Sequence, residues 1–492
     1  MQLQEIGVIV KATICDQGST QRKAISELCA ENKIDSTLYT FVINNITIVT
    51  IFDVPHLLKC TRNALLRCKI RFRSNKTAKF QYIQQVFELD QTKNYKTLFK
   101  LHLKHFKFQD SFIKIKVNIA ARQSSHSIAS SIEAFNTSGA LPVESLETAE
   151  FAELIDNLFD SLNGWTKHAK DGKQYRCVLK NGSPHLELWS KLLPEITNWK
   201  LIDLKTDKDV TTQYQFMKSW VITIRSVIYL WKQLENLGFE YLNLRNLNQD
   251  PLENFFCMIR QHGVSNSNPT CHQFIAALKT IVLNDLVAPV SKFANCEEDN
   301  SKNLENFRCF LNSVSDNVPL EKTELFKNVE TRTLEWINFD EMNVEDCFAL
   351  SYVSGYLIKK LHLPDEHCLN CRDDLFSTQC QHHLFTTFKE NGKNDSLTYA
   401  NDRVLTLVEN LHNRLYHFLD ENGHMSRLES TFKDIFLTNY SSDFCDIHRC
   451  DILIIDKAIT FLIFKYVKDR KRSQTLSSGH YKKMKKFKSA IV

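Results

Sequence analysis

Four groups of residues in this sequence have the types and spacing for chemistry. The first is Asp16 in ATICDQGST, a carboxylate that closes an apolar, strand-like run. Open α/β sheets bind ligands at the carboxyl ends of their strands, where such an acid suits a cation. An Asp before Gly-Ser-Thr is also an ordinary turn and cap, so the residues alone leave both roles open. The second group is IFDVPHLLKCTRN, where Asp53 ends another apolar run and His56, Lys59 and Asn63 recur at helical spacing beside Arg62. A turn acid followed by a basic exposed helix face accounts for this stretch as well as a ligand site does. In the third, NQDPLENFF, Asp250 suits an N-cap, Pro251 suits N1, and Glu253 at N3 completes an acidic capping box. Two acids one turn apart also suit Mg²⁺, a hard cation that takes oxygen ligands, but patterning alone favours the cap. The fourth is Cys368-x-x-Cys371 with Cys445-x-x-His448, two chelating pairs suited to tetrahedral Zn²⁺. Cys380, His382, His383 and Cys450 are nearby alternates, and free buried thiols are the competing reading. Because no open coordination position is implied, the site reads as structural, closing loops of a small C-terminal module.

The elements that must position these groups follow from pattern. At 492 residues the chain exceeds one ordinary core and calls for two to four domains. With 43% hydrophobic and 24% charged residues it is globular in composition, and only 12 Gly and 9 Pro favour helix over long disorder. Gly7–Asp16 reads as a strand, Thr20 onward as a capped helix, and Phe41–Asp53 as a second β-rich run. Strand–helix–strand order implies α/β with some parallel pairing. From about Tyr82 to Leu242 the pattern is mostly helical, including FAELIDNLFDSLNG and SWVITIRSVIYLWKQLENLG. The polar stretch Cys296–Asn306 reads as a linker. The net charge of +5 says little, but Lys465–Lys488 is dense in Lys and Arg and suits phosphate contact or a nuclear address. Fifteen scattered Cys with no secretory signal imply a reducing compartment. No apolar run is long enough to span a bilayer, so no membrane partner is expected.

Several segments together resemble the P-element transposases and their THAP-domain transposase relatives. They are VIVKATICDQGST, IFDVPHLLKCTRN, KVNIAARQSSHSIASSI, AELIDNLFDSLNG, LNQDPLENFFCMIRQHGVSNSNPT and YVSGYLIKKL, with the CxxC…CxxH pair. They occur in the family's order over most of the chain, and NQDPLENFFCMIRQHG is the most specific. The resemblance implies an RNase H-like catalytic domain split by a large helical insertion that binds guanine nucleotide without a P-loop. On that reading Asp16 is the second catalytic acid and Glu253 the last, with Asp53 the less favoured alternative to Asp16. Lys116, Val117 and Ser125 would lie near GTP. Asp160 would accept hydrogen bonds from the guanine, Asp156 stands where the family commonly has Asn, and Asp250 would serve the nucleotide site through Mg²⁺.

The implied fold class is α/β plus mostly α. Residues 1–75 form the N-terminal part of the RNase H-like domain, and 76–245 the helical guanine-nucleotide-binding insertion. Residues 246–295 return to the RNase H-like domain with its catalytic helix. A linker at 296–335, a helical zinc-containing C-terminal domain at 336–465 and a basic tail at 466–492 complete the order. The implied activity is cut-and-paste DNA transposition by Mg²⁺-dependent phosphoryl transfer, with GTP as an assembly cofactor. Transposon-end and target DNA, a homo-oligomer and the nucleus come with it. The family's THAP domain and coiled coil are not in this sequence, and the strand bearing the first acid is expected before Met1. An incomplete RNase H-like domain is therefore expected. The competing expectation is a catalytically inactive, host-adopted or vestigial DNA-binding or repressor derivative.

Overall fold

The computed structural model describes residues 6–31, 39–73, 75–108, 111–169, 172–261, 266, 268–284, 343–361, 368–390, 397–422 and 428–477. The expected linker at 296–335 and the tail beyond 477 lie outside the described residues. Two compact units emerge, residues 1–91 with 98–323, and residues 92–97 with 324–492.

The first unit opens with strand β1 (Ala12–Cys15), helix α1 (Ser19–Glu31) and strands β2 (Thr40–Ile43) and β3 (Ile46–Phe52). The strand order is β1-β3-β2, with β1 parallel to β3 and β2 antiparallel to it. The expected single β-rich run is thus a hairpin. Asn44 and Asn45 both take positive φ, at 49° and 61°, the two-residue turn that matches strand twist and that Asn tolerates. Helix α2 (Val54–Leu65) follows, with Asp53 as its N-cap and Pro55 in its first turn, where a missing N–H costs nothing.

A second sheet joins β4 (Cys68–Phe72), β5 (Lys76–Ala78) and, much later, β6 (Lys200–Asp203), in the order β5-β4-β6 and all antiparallel. This sheet crosses the expected boundary at 75 and 76, since β4 pairs with strands on the other side of it. Between β5 and β6 the chain is helical. It runs through α3 (Phe80–Gln91), α4 (Ser111–Ile115), α5 (Val117–Gln123), α6 (His126–Thr137), α7 (Ser145–Leu162) and α8 (His185–Thr197). Helices α6 and α7 pack along one another, with Ile128, Ile132 and Phe135 of the one and Ile155 and Leu158 of the other buried, while Phe151 meets the rings of Phe72 and Trp199. Gly164 ends this arm by necessity, because a Cβ there would lie 2.2 Å from the Cys177 carbonyl oxygen.

Helix α9 (Phe216–Asn236) then returns to the first sheet and packs on β3 and α2. Thr223 Oγ1 accepts the Phe52 N–H at 3.1 Å, and Trp220 Nε1 donates to Thr61 Oγ1 at 3.0 Å. These bonds satisfy polar groups in a buried interface. Helices α10 (Asp250–Gln261) and α11 (Cys271–Asn284) close the unit's described residues and share Ile259, Ala277 and Ile281.

The second unit is helical. Helices α12 (Val344–Lys359), α13 (Leu369–Leu375), α14 (Leu384–Lys389), α15 (Asp402–Asn422), α16 (Leu428–Thr438) and α17 (Cys450–Ser477) surround one apolar core. Residues 92–97 belong to it: Tyr95 is buried in that core, and Lys93 pairs with Glu345 at 2.5 Å. Among the described residues no helix is long and apolar enough to cross a membrane.

Candidate functional site

The parallel register of β1 and β3 sets Cys15 beside Phe52, so the acids that follow them, Asp16 and Asp53, leave neighbouring strand ends. The Asp53 N–H donates to the Cys15 carbonyl at 2.8 Å, which locks that juxtaposition. Asp16 is half-buried, and its Oδ1 accepts the Gly18 N–H at 2.8 Å, the turn bond that leads into α1. The thiol of Cys15 feels both acids. Burial, then Asp16 and Asp53, push it up to about 11. Only the part of that shift owed to the two acids favours a cation, since burial penalises charge of either sign.

Asp53 is 2% exposed and uses each oxygen differently. Oδ2 accepts the His56 N–H at 3.0 Å and caps α2, while Oδ1 accepts the Gln249 N–H at 2.7 Å. Burial raises its carboxyl pKa, against the pull of the Gln249 N–H and of His56. Asp53 thereby fixes the start of α10 to the start of α2 across the whole insertion. Glu253, on the first turns of α10, lies 3.2 Å from His56 Nε2 through its Oε1. His56 is also 3.9 Å from Asp53 Oδ2, so one imidazole stands between two carboxylates.

The capping box expected at Asp250 is displaced by one residue. The Glu253 N–H donates to the Gln249 carbonyl at 2.9 Å, so Gln249 takes the N-cap place, with Asp250 at N1 and Glu253 at N4. The Glu253 carboxylate reaches His56, and buried Asp250 accepts from Asn248 Nδ2 at 3.3 Å. Asn248 also donates to Asn163 Oδ1 at 3.2 Å, tying the end of α7 to the start of α10.

Near that end, α7 carries Asp156 and Asp160 one turn apart. Lys173 Nζ sits 3.0 Å from a carboxylate oxygen of each, and Arg176 Nε lies 3.4 Å from Asp160 Oδ1. Burial raises the Asp160 pKa, with Asp156 adding to it and the two cations opposing. A buried carboxylate facing N–H donors is the chemistry that also receives the N–H groups of a guanine. Lys116 is the N-cap of α5, Val117 its first residue, and Ser125 the N-cap of α6, which packs along α7. Arg62, grouped by its sequence with an exposed basic face, is in fact 1% exposed. It donates to the Ile113 and Lys114 carbonyls at 3.1 Å each and to Gln123, anchoring α4 and α5 around Lys116. Nothing in its spacing signalled this role.

In the second unit, ligand atoms of Cys368, Cys371, Cys445 and His448 all lie within 4.8 Å of one another. His448 Nδ1 is 3.4 Å from Cys371 Sγ and 3.7 Å from Cys445 Sγ. A metal holding S and N at bonded distances spaces them about 3.6 Å apart, so this donor set fits tetrahedral Zn²⁺. Backbone and imidazole donation from His448 draws the Cys445 thiol down to about 7. Asp374 supports the cluster, accepting the Cys445 N–H at 2.7 Å and Arg403 Nη1 at 2.6 Å.

The family described as TNP-like, GTP-binding insertion domain matches residues 55–175, and TNP-like, RNase H C-terminal domain matches residues 246–279. The transposable element P transposase of Drosophila melanogaster is 27% identical over 375 residues, covering 74% of this chain and 47% of its own length. The chain is similar to P-element transposases over these segments. The human DNA transposase THAP9 is 26% identical over 294 residues, covering 56% of this chain and 30% of its own length. The chain thus spans about half, or less, of these P-element relatives. A solved structure, the Drosophila P element transposase strand transfer complex, shares the fold at a TM-score of 0.51 and 24% identity. The match covers 58% of this chain and 62% of that one. The GTP-binding insertion match starts at Pro55, so β4 and β5 fall within it. The architecture is accordingly mostly helical, with a TNP-like insertion and an RNase H-like C-terminal element.

Proposed function

We propose that this chain carries the catalytic and nucleotide-binding parts of a P-element-type DNA transposase, with Asp16 and Glu253 as catalytic acids. The observation that carries the reading is the pair of contacts from Asp53 to Gln249 and from His56 to Glu253. They tie Asp53 and Glu253 together from opposite sides of the insertion that matches the GTP-binding family, and Asp16 follows the strand paired with the one before Asp53. Carboxylate oxygens are the ligands that Mg²⁺ prefers, and Mg²⁺ held by Asp16 and Glu253 would neutralise phosphoryl oxygens and lower the pKa of an attacking hydroxyl. The chain's own contribution is placement. Asp53 holds α10 in position, and His56 orients the Glu253 carboxylate.

Asp160 would read the guanine of GTP through its carboxylate, with Lys173 and Arg176 released toward phosphates. Lys116 and the adjoining backbone of Val117 and Ser125 would meet the nucleotide's polar groups, and Asp156 and Asp250 would complete the site with Mg²⁺. Transposon-end and target DNA are the proposed partners, in a homo-oligomer and in the nucleus. Zn²⁺ would be held by Cys368, Cys371, Cys445 and His448 as a structural ion.

The test is a strand-transfer assay with donor-end DNA, Mg²⁺ and GTP, read beside DNA binding. Glu253→Gln is expected to lower strand transfer at least about a hundredfold while end binding persists, as when one charge-stabilising group is removed. Strand transfer unchanged in Glu253→Gln overturns the catalytic assignment. End binding with no strand transfer in the parent chain favours the DNA-binding or repressor derivative.

A further inference from the structure

The second unit contains a cluster that the zinc site above does not use. Cys380 precedes the 3-10 turn Gln381–His383, and Asp402 is the first residue of α15. The side chains of Cys380, His382 and Asp402 bring one ligand atom each within 4.8 Å of one another, as a group distinct from the Cys368 set. His382 Nδ1 is 3.8 Å from Cys380 Sγ and 3.6 Å from Asp402 Oδ1. For a tetrahedral zinc at ordinary bond lengths those edges would be about 3.6 and 3.3 Å. Each needs to shorten by only a few tenths of an ångström.

The backbone around the cluster is held in place. Ser351 Oγ, on α12, donates to the His382 carbonyl at 2.8 Å. The neighbouring His383 is buried, and its Nε2 lies 2.9 Å from the Ala400 carbonyl oxygen. A carbonyl only accepts, so Nε2 carries the hydrogen and Nδ1 presents its lone pair. That Nδ1 points at Cys380 Sγ from 3.2 Å. An imidazole whose far nitrogen donates to a main-chain carbonyl is the usual setting of a metal-binding histidine. The alternative is a thiol donating to His383 beside a His382–Asp402 pair, with no ion.

We infer that Cys380, His382 and Asp402 form a second divalent-cation site, for zinc or a chemically similar ion, with the fourth position open to water or to His383 Nδ1. One thiolate, one imidazole and one carboxylate make it a weaker site than the cluster with three cysteines. Cys380 and Asp402 are exposed, so ions exchange there with little structural cost. Its structural effect would be to pin the turn at Cys380–His383 to the start of α15. The inference does not depend on the transposase reading.

The experiment is metal counting on the zinc-loaded, desalted full chain, with cobalt substitution to read the ligands. The Cys380→Ala/His382→Ala chain is expected to hold one equivalent fewer than the parent. It should lose the part of the cobalt spectrum that carries a single thiolate, and keep the part with several. In the parent chain a chelator titration should remove the single-thiolate part before the part with several. Asp402→Asn, at an exposed position, keeps the fold and should weaken the second equivalent at least tenfold in a competition with a chelator. Equal metal content in the parent and in Cys380→Ala/His382→Ala, with unchanged affinity in Asp402→Asn, overturns the inference.

Discussion

In the first unit Glu253 meets His56 across 197 residues of chain, whereas in the second unit the ligand atoms come as two short pairs, Cys368 with Cys371 and Cys445 with His448. The two regions differ in chemistry as well as in reach. The first collects carboxylates, which are hard donors and repel one another, and it holds Asp53 through the hydrogen bonds it accepts from the Gln249 and His56 N–H groups. The second collects thiols and imidazole, soft donors that a single ion can bind together. A carboxylate site of this kind rests on its scaffold. A thiol–imidazole cluster is itself part of the scaffold, because its ion would close the loops that present it.

The largest effect should therefore come from the thiols. Cys371→Ala removes a buried ligand of the cluster, and zinc loss should cost the second unit about 4–5 kcal/mol or more. Calorimetry with and without a chelator should show its transition moving while that of the first unit stays. A second-unit transition indifferent to both treatments would break the contrast.

Next in size is Arg62→Ala. It leaves the Ile113 and Lys114 carbonyls and Gln123 without their buried donor, and it empties the space of a large side chain. About 3 kcal/mol or more should be lost from the first unit, read as a lower denaturant midpoint. Metal content should not change. If it did, the scaffold of the first region and the ion of the second would be coupled.

These two residues also show what a sequence conveys and what it hides. The Cys pairs were legible because a chelating pair is a local pattern, and so was the helical spacing of His56, Lys59 and Asn63. Arg62 was not, because a buried Arg and an exposed one have the same spacing, and only the carbonyls at 113 and 114 tell them apart. Strand β6 escaped for a related reason: four residues that pair with β4 more than a hundred positions away carry no periodicity of their own. The alternates Cys380 and His382 looked interchangeable with the first cluster in the sequence, yet the fold gives them a separate partner in Asp402. The capping box failed by one residue, since Asp53 draws Gln249, not Asp250, to the start of α10.

Asp53→Ala should have the next effect. It removes the cap of α2 and the acceptor for the Gln249 N–H together, for a loss of about 2 kcal/mol. If α10 is positioned as argued, strand transfer should fall further than this stability loss alone would explain. A variant that is less stable but equally active would leave Asp53 a cap and nothing more.

The smallest effect is in the pH dependence, and its sign follows from burial. The Asp53 carboxyl is raised above its ordinary value of 3.8, so the folded chain holds this proton more tightly than the unfolded chain does. Its contribution is fully present below about 3.8 and is lost as pH rises through the higher folded value. Above that window the ionised, buried Asp53 carries a desolvation cost that its two N–H donors offset only in part. Asp53→Asn deletes this ionisation. Its stability relative to the parent should therefore improve as pH is raised from below 3.8 into the neutral range, even if the loss of one acceptor oxygen keeps it less stable throughout. Urea midpoints of both chains across that range would show the slope. A relative stability that falls as pH rises would mean that the folded state prefers the charged form. The carboxylate region would then be held together by its charge, in closer likeness to the thiol cluster than its buried scaffold implies.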